Sequence, residues 1–535
     1  MAANLALPGV PGVTITPTGF QVLRAGTPDA EAVVGAGIET LHAGGALDNQ
    51  GGTLVFNQRI ASVTGHAQGI TVNEVGPLHD PTAMMYVMTS DLDAAGKLLP
   101  GVPVEPLVLR VNAGDCVQVV LNNRLPALAP DLPNYNDLRH AVKRDRFDPE
   151  GSTVFSNNLI RPSSEVGFHT QLLEYDVTRS DGTNVGINPV QTVAPGGPAK
   201  TYTFYAGELR LAELPTIGNP NQFNLDVVLA TAIEFGPVNV LPADRVKQPQ
   251  KGLFGQMVVM PRGSTVTLPS ATTRMAADVT APALPEQLTN LFTNTLPATK
   301  AQTYRDFALV WGKMHNYRYA SGNAVQNESE EGPGIPENPP HTLISAANYR
   351  AEPTFFRFGI PPLAAAGNAG CGVPFAAPKT ANPADLTCFG SVQNAGDLFS
   401  NALTGGADPQ VPIFVARAGQ PFRIGLTMPN SSSRGTTFVL HGHVWPRDPF
   451  LALKRNAAGF PDNANIDNVG SVVIGDNPLQ IYFGAQESVI GSSHHVIKPT
   501  SGAGGRDKVT GDYLMRDTAG AGMGGGAWGI LRVVP

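Results

Sequence analysis

The chain has 535 residues, of which 42% are hydrophobic and 15% charged, a core-forming composition too long for a single core and unlike that of a disordered chain. A formal charge of −7 and a pI near 5.9 exclude a nucleic-acid surface, which needs clustered Lys and Arg. No run approaches about 18 consecutive apolar residues, so no transmembrane helix is expected, and Gly 59 and Pro 47 spread along the length favour short strands joined by turns over long helices.

Residues 1–50 are Gly/Ala/Pro-rich and weakly patterned, and are expected to form an N-terminal extension over the first domain. Their start, MAANLALPGVPGV, lacks a charged n-region and a continuous apolar stretch, so no signal peptide is visible. A first domain is expected over residues 51–265. Its strand signals are TLVFNQRIASV, MMYVMTSDL and PLVLRVNAGDCVQVVLNNRL, the last reading as a hairpin across Asn112-Ala113-Gly114-Asp115. Cys116 within it reads as a small buried thiol. Residues 127–160 read as an insertion loop, with Lys143-Arg144-Asp145-Arg146 as a solvated run. Strand signals resume at VGFHTQLLEYDV, AKTYTFYAGEL and GLFGQMVVMP.

Residues 266–300 read as a linker with room for one helical turn. A second domain, residues 301–535, carries YRDFALVWGKM, PTFFRFG, VPIFVARAGQPFRIGLTMP, TTFVLHGHVW, PLQIYFG, GDYLMRD and AWGILRVVP. The halves echo each other: a Gly-containing turn (Asn112–Asp115; Arg417–Gln420), a His-bearing strand, and a closing strand (Gly252–Pro261; Ala527–Pro535). Two copies of one Greek-key sandwich are expected.

In order and flanking residues, these segments resemble the multicopper oxidase family over about residues 50–535. PLVLRVNAGDCVQVVLNNRL resembles its early strand pair and GLFGQMVVMPRG the end of its first cupredoxin domain. TTFVLHGHVW resembles the strand bearing HPxHLHGH, and GDYLMRDTAGAGMGGGAWGILRV the final GxWxxHCHxxxH strand with its successor. The resemblance implies an all-β fold of two cupredoxin-like Greek-key β-sandwich or barrel domains with long loops.

In that family dioxygen is reduced at three coppers held by four His-x-His pairs, with a further copper on Cys, two His and often Met. Alternation in a strand puts both imidazoles of such a pair on one face. Carried over residue by residue, the first pair reads His169-Thr170-Gln171 and the second falls on Ala206-Gly207-Glu208. The third motif places its His positions on Thr436, Val439 and His441. In the last, His-Cys-His falls on Arg516-Asp517-Thr518 and the remaining His near Gly522. Only His169 and His441 keep an imidazole, and no Cys follows Cys388 and no His follows His495 anywhere in the chain. Neither a blue copper site nor a trinuclear cluster can be assembled from these positions.

His441-Gly442-His443 is a His-x-His on an expected strand. One reading packs His443 and Trp445 within the sandwich. The other is a mononuclear copper or zinc site at His169, His441 and His443, or completed by one of His494 and His495, which sit in an expected loop. Elsewhere, His79-Asp80-Pro81 reads as turn chemistry, and His315 as a hairpin end or binding surface. An Arg350–Glu352 pairing is expected around Asn348. Glu328, Glu330 and Glu331 read as a solvated acidic loop. Cys371 and Cys388 leave both a disulfide and two free thiols open. No nucleophile elbow, P-loop or dinucleotide fingerprint is present.

The resemblance therefore implies a cupredoxin chain without a complete copper set, serving as a non-catalytic structural or interaction subunit or as a section of a larger oxidase-type assembly. The alternative is a copper-dependent oxidoreductase with an unconventional mononuclear His site, copper being the one cofactor in view. A third reading is a ligand pocket lined by Gln171, Glu208, Arg516 and Asp517. Family partners suggest a homo-oligomer, a trimer above all, or a subunit of a larger cupredoxin assembly, in an extracellular or periplasmic compartment.

Overall fold

The computed structural model describes residues 38–42, 54–57, 78–80, 82–129, 142–145, 148–153, 161–216, 219–270, 273–283, 287–288, 295–296, 301–312, 345–357, 395–430, 436–447, 451–455, 461–468, 482–517 and 524–535. The first half runs through β1 (Ile38–His42), β2 (Met84–Met88), β3 (Leu107–Asn112), β4 (Cys116–Asn123), β5 (His169–Thr170), β6 (Lys200–Tyr205), β7 (Gly236–Leu241) and β8 (Gly255–Met260). The second runs through β9 (Thr265–Thr267), β10 (Ala276–Ala281), β11 (Gln302–Gly312), β12 (Ile413–Arg417), β13 (Phe422–Met428), β14 (Thr436–Leu440), β15 (Ala485–Val489), β16 (Ser493–Ile497), β17 (Gly511–Asp517) and β18 (Trp528–Val534). The chain is all-β, as expected, with helix limited among the described residues to single short turns.

Each half is a sandwich. One sheet of the first has the order β6-β4-β1-β2 and the other β3-β8-β7-β5. In the second half the orders are β9-β10-β11-β13-β16 and β12-β18-β17-β14-β15. Alternation explains the inward faces: Val117, Val119 and Leu121 of β4 are buried between exposed or half-buried neighbours. They meet Leu107, Leu109, Phe204, Val238, Met257 and Val259 in one core. The second core gathers Phe307, Phe414, Phe422, Leu426, Phe438, Trp445 and Leu531, with Phe307 stacked on Phe414 at 4.5 Å.

Three expectations change. The Asn112–Asp115 turn does not join a hydrogen-bonded hairpin, because β3 and β4 belong to opposite sheets of the sandwich, and the same holds for β12 and β13. The turn is a corner between layers: Gly114 lies at φ 85°, and the Asp115 carboxylate accepts the Asn112 N–H at 2.8 Å. Within the expected extension, β1 forms an inner strand, parallel to β4 and antiparallel to β2. Within the expected linker, β10 pairs antiparallel with β11 and β9 with β10. Both were hidden because their runs are short and mostly small or mixed in character.

Strands β7, β8 and β13 are buried along their whole length rather than alternately. Their second faces pack against the other half, the condition under which a strand loses its polar face. Gln256 Nε2 donates to Gly425 O at 2.9 Å and Thr427 Oγ1 at 2.8 Å across this seam. The approach is close: a Cβ on Gly425 would stand 3.0 Å from Pro237 Cβ, and one on Gly236 would stand 2.6 Å from Val496 Cγ2.

Candidate functional site

His169 pairs with Leu241 at the edge of the first half's second sheet. Its Nδ1 lies 2.8 Å from the Asp181 carbonyl oxygen and 3.4 Å from Asp181 Oδ1. Since a carbonyl only accepts, Nδ1 carries the proton and Nε2 the lone pair. The Tyr175 ring stands edge-on at 5.8 Å, and its hydroxyl donates to Asp181 Oδ1 at 2.9 Å. Burial, then the Arg245 cation, push the imidazole below its ordinary value. Burial and the Asp181 carboxylate push Tyr175 up to about 12.

Gln171 is committed to the seam. Its Oε1 accepts from the Asn239 side chain at 2.8 Å, and its Nε2 donates to Ser492 O at 3.1 Å. Asn239 Nδ2 also donates to Ser493 O at 3.0 Å. Ala206 is buried with both backbone groups engaged: its N–H donates to Asp115 O at 2.9 Å, and its carbonyl accepts from Gly114 at 2.7 Å. Glu208 is half-buried and pairs with Thr231 at the base of a two-stranded ribbon, Gly207–Thr216 against Asn219–Ala232.

His441-Gly442-His443 departs from its expected geometry. Strand β14 ends at Leu440, and Gly442 at φ 68° turns the chain. His441 is therefore exposed while His443 is buried, so the two rings do not share a face. His443 Nδ1 donates to the His441 carbonyl at 2.9 Å, and its Nε2 accepts the Gly504 N–H at 3.2 Å. Its ring lies edge-on to Tyr513 at 4.8 Å and Phe422 at 5.6 Å. Both nitrogens are thus spent within the sandwich, and burial lowers the ring's pKa. His441 Nε2 accepts from Arg516 Nε at 3.2 Å; burial and this guanidinium lower its pKa as well.

Of the remaining family positions, Thr436 is buried and Val439, half-buried, lies opposite Arg516. Asp517 is buried and Arg516 half-buried, adjacent residues of one strand facing opposite ways. Arg516 Nη1 reaches the Asp517 main-chain oxygen at 3.2 Å, so the expected pocket of four facing polar side chains is not formed. His494 and His495 belong to strand β16 rather than a loop, opposite Thr427 and Leu426 of β13. Burial lowers both. Thr518, Gly522, His315, Glu328, Glu330, Glu331, Cys371 and Cys388 lie outside the described residues.

Cys116 is half-buried rather than buried. Asp80 Oδ1 accepts the Thr82 N–H at 2.8 Å and its hydroxyl at 2.9 Å, the expected turn chemistry. Glu352 pairs with Arg357 at 2.7 Å, both side chains wholly buried. Lys143 belongs to a short ribbon, Val142–Asp145 against Asp148–Thr153. A small, partly open cavity of about 30 Å³ lies beside Asp91, Glu105 and Arg274.

Among the described residues no group of three His, Cys, Asp or Glu side chains is gathered as a metal would require. The residues at the family positions do not fit copper: His443 has no lone pair to give, His441 faces a cation, and Gln171 is engaged in the seam. Sequence reasoning missed Asn239 and Gln256, whose amides line the seam. The one available signal was polar residues inside otherwise apolar strands.

No family model matches the chain, and no curated protein matches it. Solved structures to which it is similar include a multicopper oxidase (11% identity, 80% of this chain and 78% of that one, TM-score 0.33). Others are a copper nitrite reductase from Nitrosomonas europaea (11%, 93% and 93%, TM-score 0.36) and a blue copper oxidase from Nitrosomonas europaea (10%, 90% and 84%, TM-score 0.33).

Proposed function

We propose that this chain is a non-catalytic cupredoxin-type protein, a structural or interaction subunit or a section of a larger oxidase-type assembly. The observation that carries the reading is His443, whose two ring nitrogens are both taken by main-chain groups. Gln171 adds to it: where the family has a ligand, this side chain stitches one sandwich to the other. Side chains that hold the fold together are not available to hold a reactive metal. A homo-oligomer, a trimer in particular, and an extracellular or periplasmic setting follow from the resemblance and are part of the proposal.

The test is metal analysis after copper loading and exhaustive dialysis, on the native chain and on His441→Ala. The expected result is no retained copper, or weak retention equal in the two proteins. About one tightly held copper per chain, lost in His441→Ala, would overturn the reading in favour of a mononuclear oxidoreductase site.

A further inference from the structure

Gly207–Thr216 and Asn219–Ala232 form an antiparallel ribbon that pairs with no further strand among the described residues. The second of them, at 14 residues, is the longest strand described. Two strands alone are marginal, and a ribbon of this length calls for a third strand or a packed face. Its two edges differ. The strand Gly207–Thr216 carries Glu208, Arg210, Glu213 and Pro215, the residue types that blunt an edge. The run Val227-Val228-Leu229-Ala230-Thr231-Ala232 carries no charge and no proline. That run lies in regular register, with Val227 opposite Ala212 and Ala232 opposite Gly207, and the register shifts come only beyond it. Other edges of the chain are managed. β9 is 3 residues long and is followed closely by Pro269. The Val415 carbonyl of edge strand β12 is taken by Arg305 Nη1 at 2.7 Å.

We propose that the Asn219–Ala232 edge is an interface between two copies of this chain, paired antiparallel across a twofold axis at Leu229. In an antiparallel ladder alternate residues point their N–H and C=O groups away from the first partner, so the run has main-chain donors and acceptors for a second one. The occupant follows from the sequence of the run. About Leu229, Val227 stands opposite Thr231 of the other copy, Val228 opposite Ala230, and Leu229 opposite its own counterpart. No like charges meet, and β-branched residues stand across from each other. Asp226, next in line, stands opposite Ala232. A foreign strand would be selected by charges or polar groups that the run lacks, whereas every copy presents an identical edge. The two ribbons become one sheet, and neither is left as an isolated pair. The contact is isologous and closes at two copies; with a threefold contact elsewhere it gives a hexamer. It rests on the homo-oligomeric part of the reading above and names the surface that part requires.

The experiment is sedimentation equilibrium of the full chain and of Leu229→Lys, with mild oxidation of Leu229→Cys and Leu211→Cys as a second measurement. The expected result is an even-numbered assembly whose mass is halved in Leu229→Lys, with the far-ultraviolet circular dichroism spectrum unchanged. Leu229→Cys should cross-link into a covalent dimer, because opposed Cα atoms in an antiparallel ladder stand about 4.5–5.5 Å apart, within reach of a disulfide. Leu211→Cys, on the blunted strand, should cross-link no more than the native chain. Where Leu229→Lys does not fold, the cross-linking decides alone. A mass unchanged by Leu229→Lys, or equal cross-linking at the two positions, would overturn the proposal. A trimer indifferent to Leu229→Lys sinks this interface and spares the homo-oligomeric reading, whereas a monomeric native chain sinks both.

Discussion

Arg357 illustrates how much one side chain can organise. Its guanidinium pairs with Glu352, donates to Leu398 O at 2.6 Å and Ser400 O at 2.8 Å, and lies 5.0 Å from the centre of the Trp528 ring. Glu352 in turn accepts the Gln410 N–H at 2.7 Å. With neither member exposed, Arg357→Met leaves a buried carboxylate without its cation. A loss of about 3–5 kcal/mol is expected, measured as a fall in the denaturant midpoint; a change under 1 kcal/mol would mean that the pair is solvated. The sequence pointed to Glu352 as a paired carboxylate but did not point to Arg357 as its partner. Asn348 and Tyr349 stand at φ 51° and 63°, and the turn they make governs where Arg350 is carried, which composition cannot reveal. His443 shows the same limit: its position in a His-x-His was legible, but the turn at Gly442 that separates the two rings was not.

At the scale of elements, strands were legible wherever one face is buried, as in β4, and wherever a whole apolar run is enclosed, as in β13. Their type was readable because burial writes a period into the sequence. Which sheet each strand joins was not, since the turn Asn112–Asp115 serves a corner as readily as a hairpin. β1 and β10 escaped notice because pairing of their main chains, rather than a strong side-chain pattern, holds them in place. The seam rests on small residues. Gly425→Val places branching carbon where Pro237 Cβ already stands 3.0 Å away, so the two sheets must part. Limited proteolysis is expected to cut this variant between the sandwiches under conditions that leave the native chain whole, and equal resistance would show that the contact is slack.

For the whole molecule, buried ionisable groups set how stability varies with pH. His169, His441, His443, His494 and His495 are all depressed, burial being the largest cause in each. An unfolded histidine near 6.5 then binds protons that the folded one refuses, so stability is lost as pH falls below about 6.5. Lys498 acts in the same direction between about 7 and its ordinary value near 10.5. Tyr202, Tyr304 and Tyr349 are raised by burial and remove stability above about pH 10. Glu105, raised by burial, works against the histidines. The melting temperature is expected to climb from pH 5 to about 9 and drop beyond about 10; a flat profile would show that these groups are solvated. One further consequence concerns synthesis. β1 leaves the ribosome early, yet its neighbours β2 and β4 come later, and β4's outer neighbour β6 later still. β1 must therefore wait, unzipped, until β2 and β4 have been translated, and a holding chaperone or a pause in elongation after Asn123 would serve this chain better than rapid, uninterrupted production.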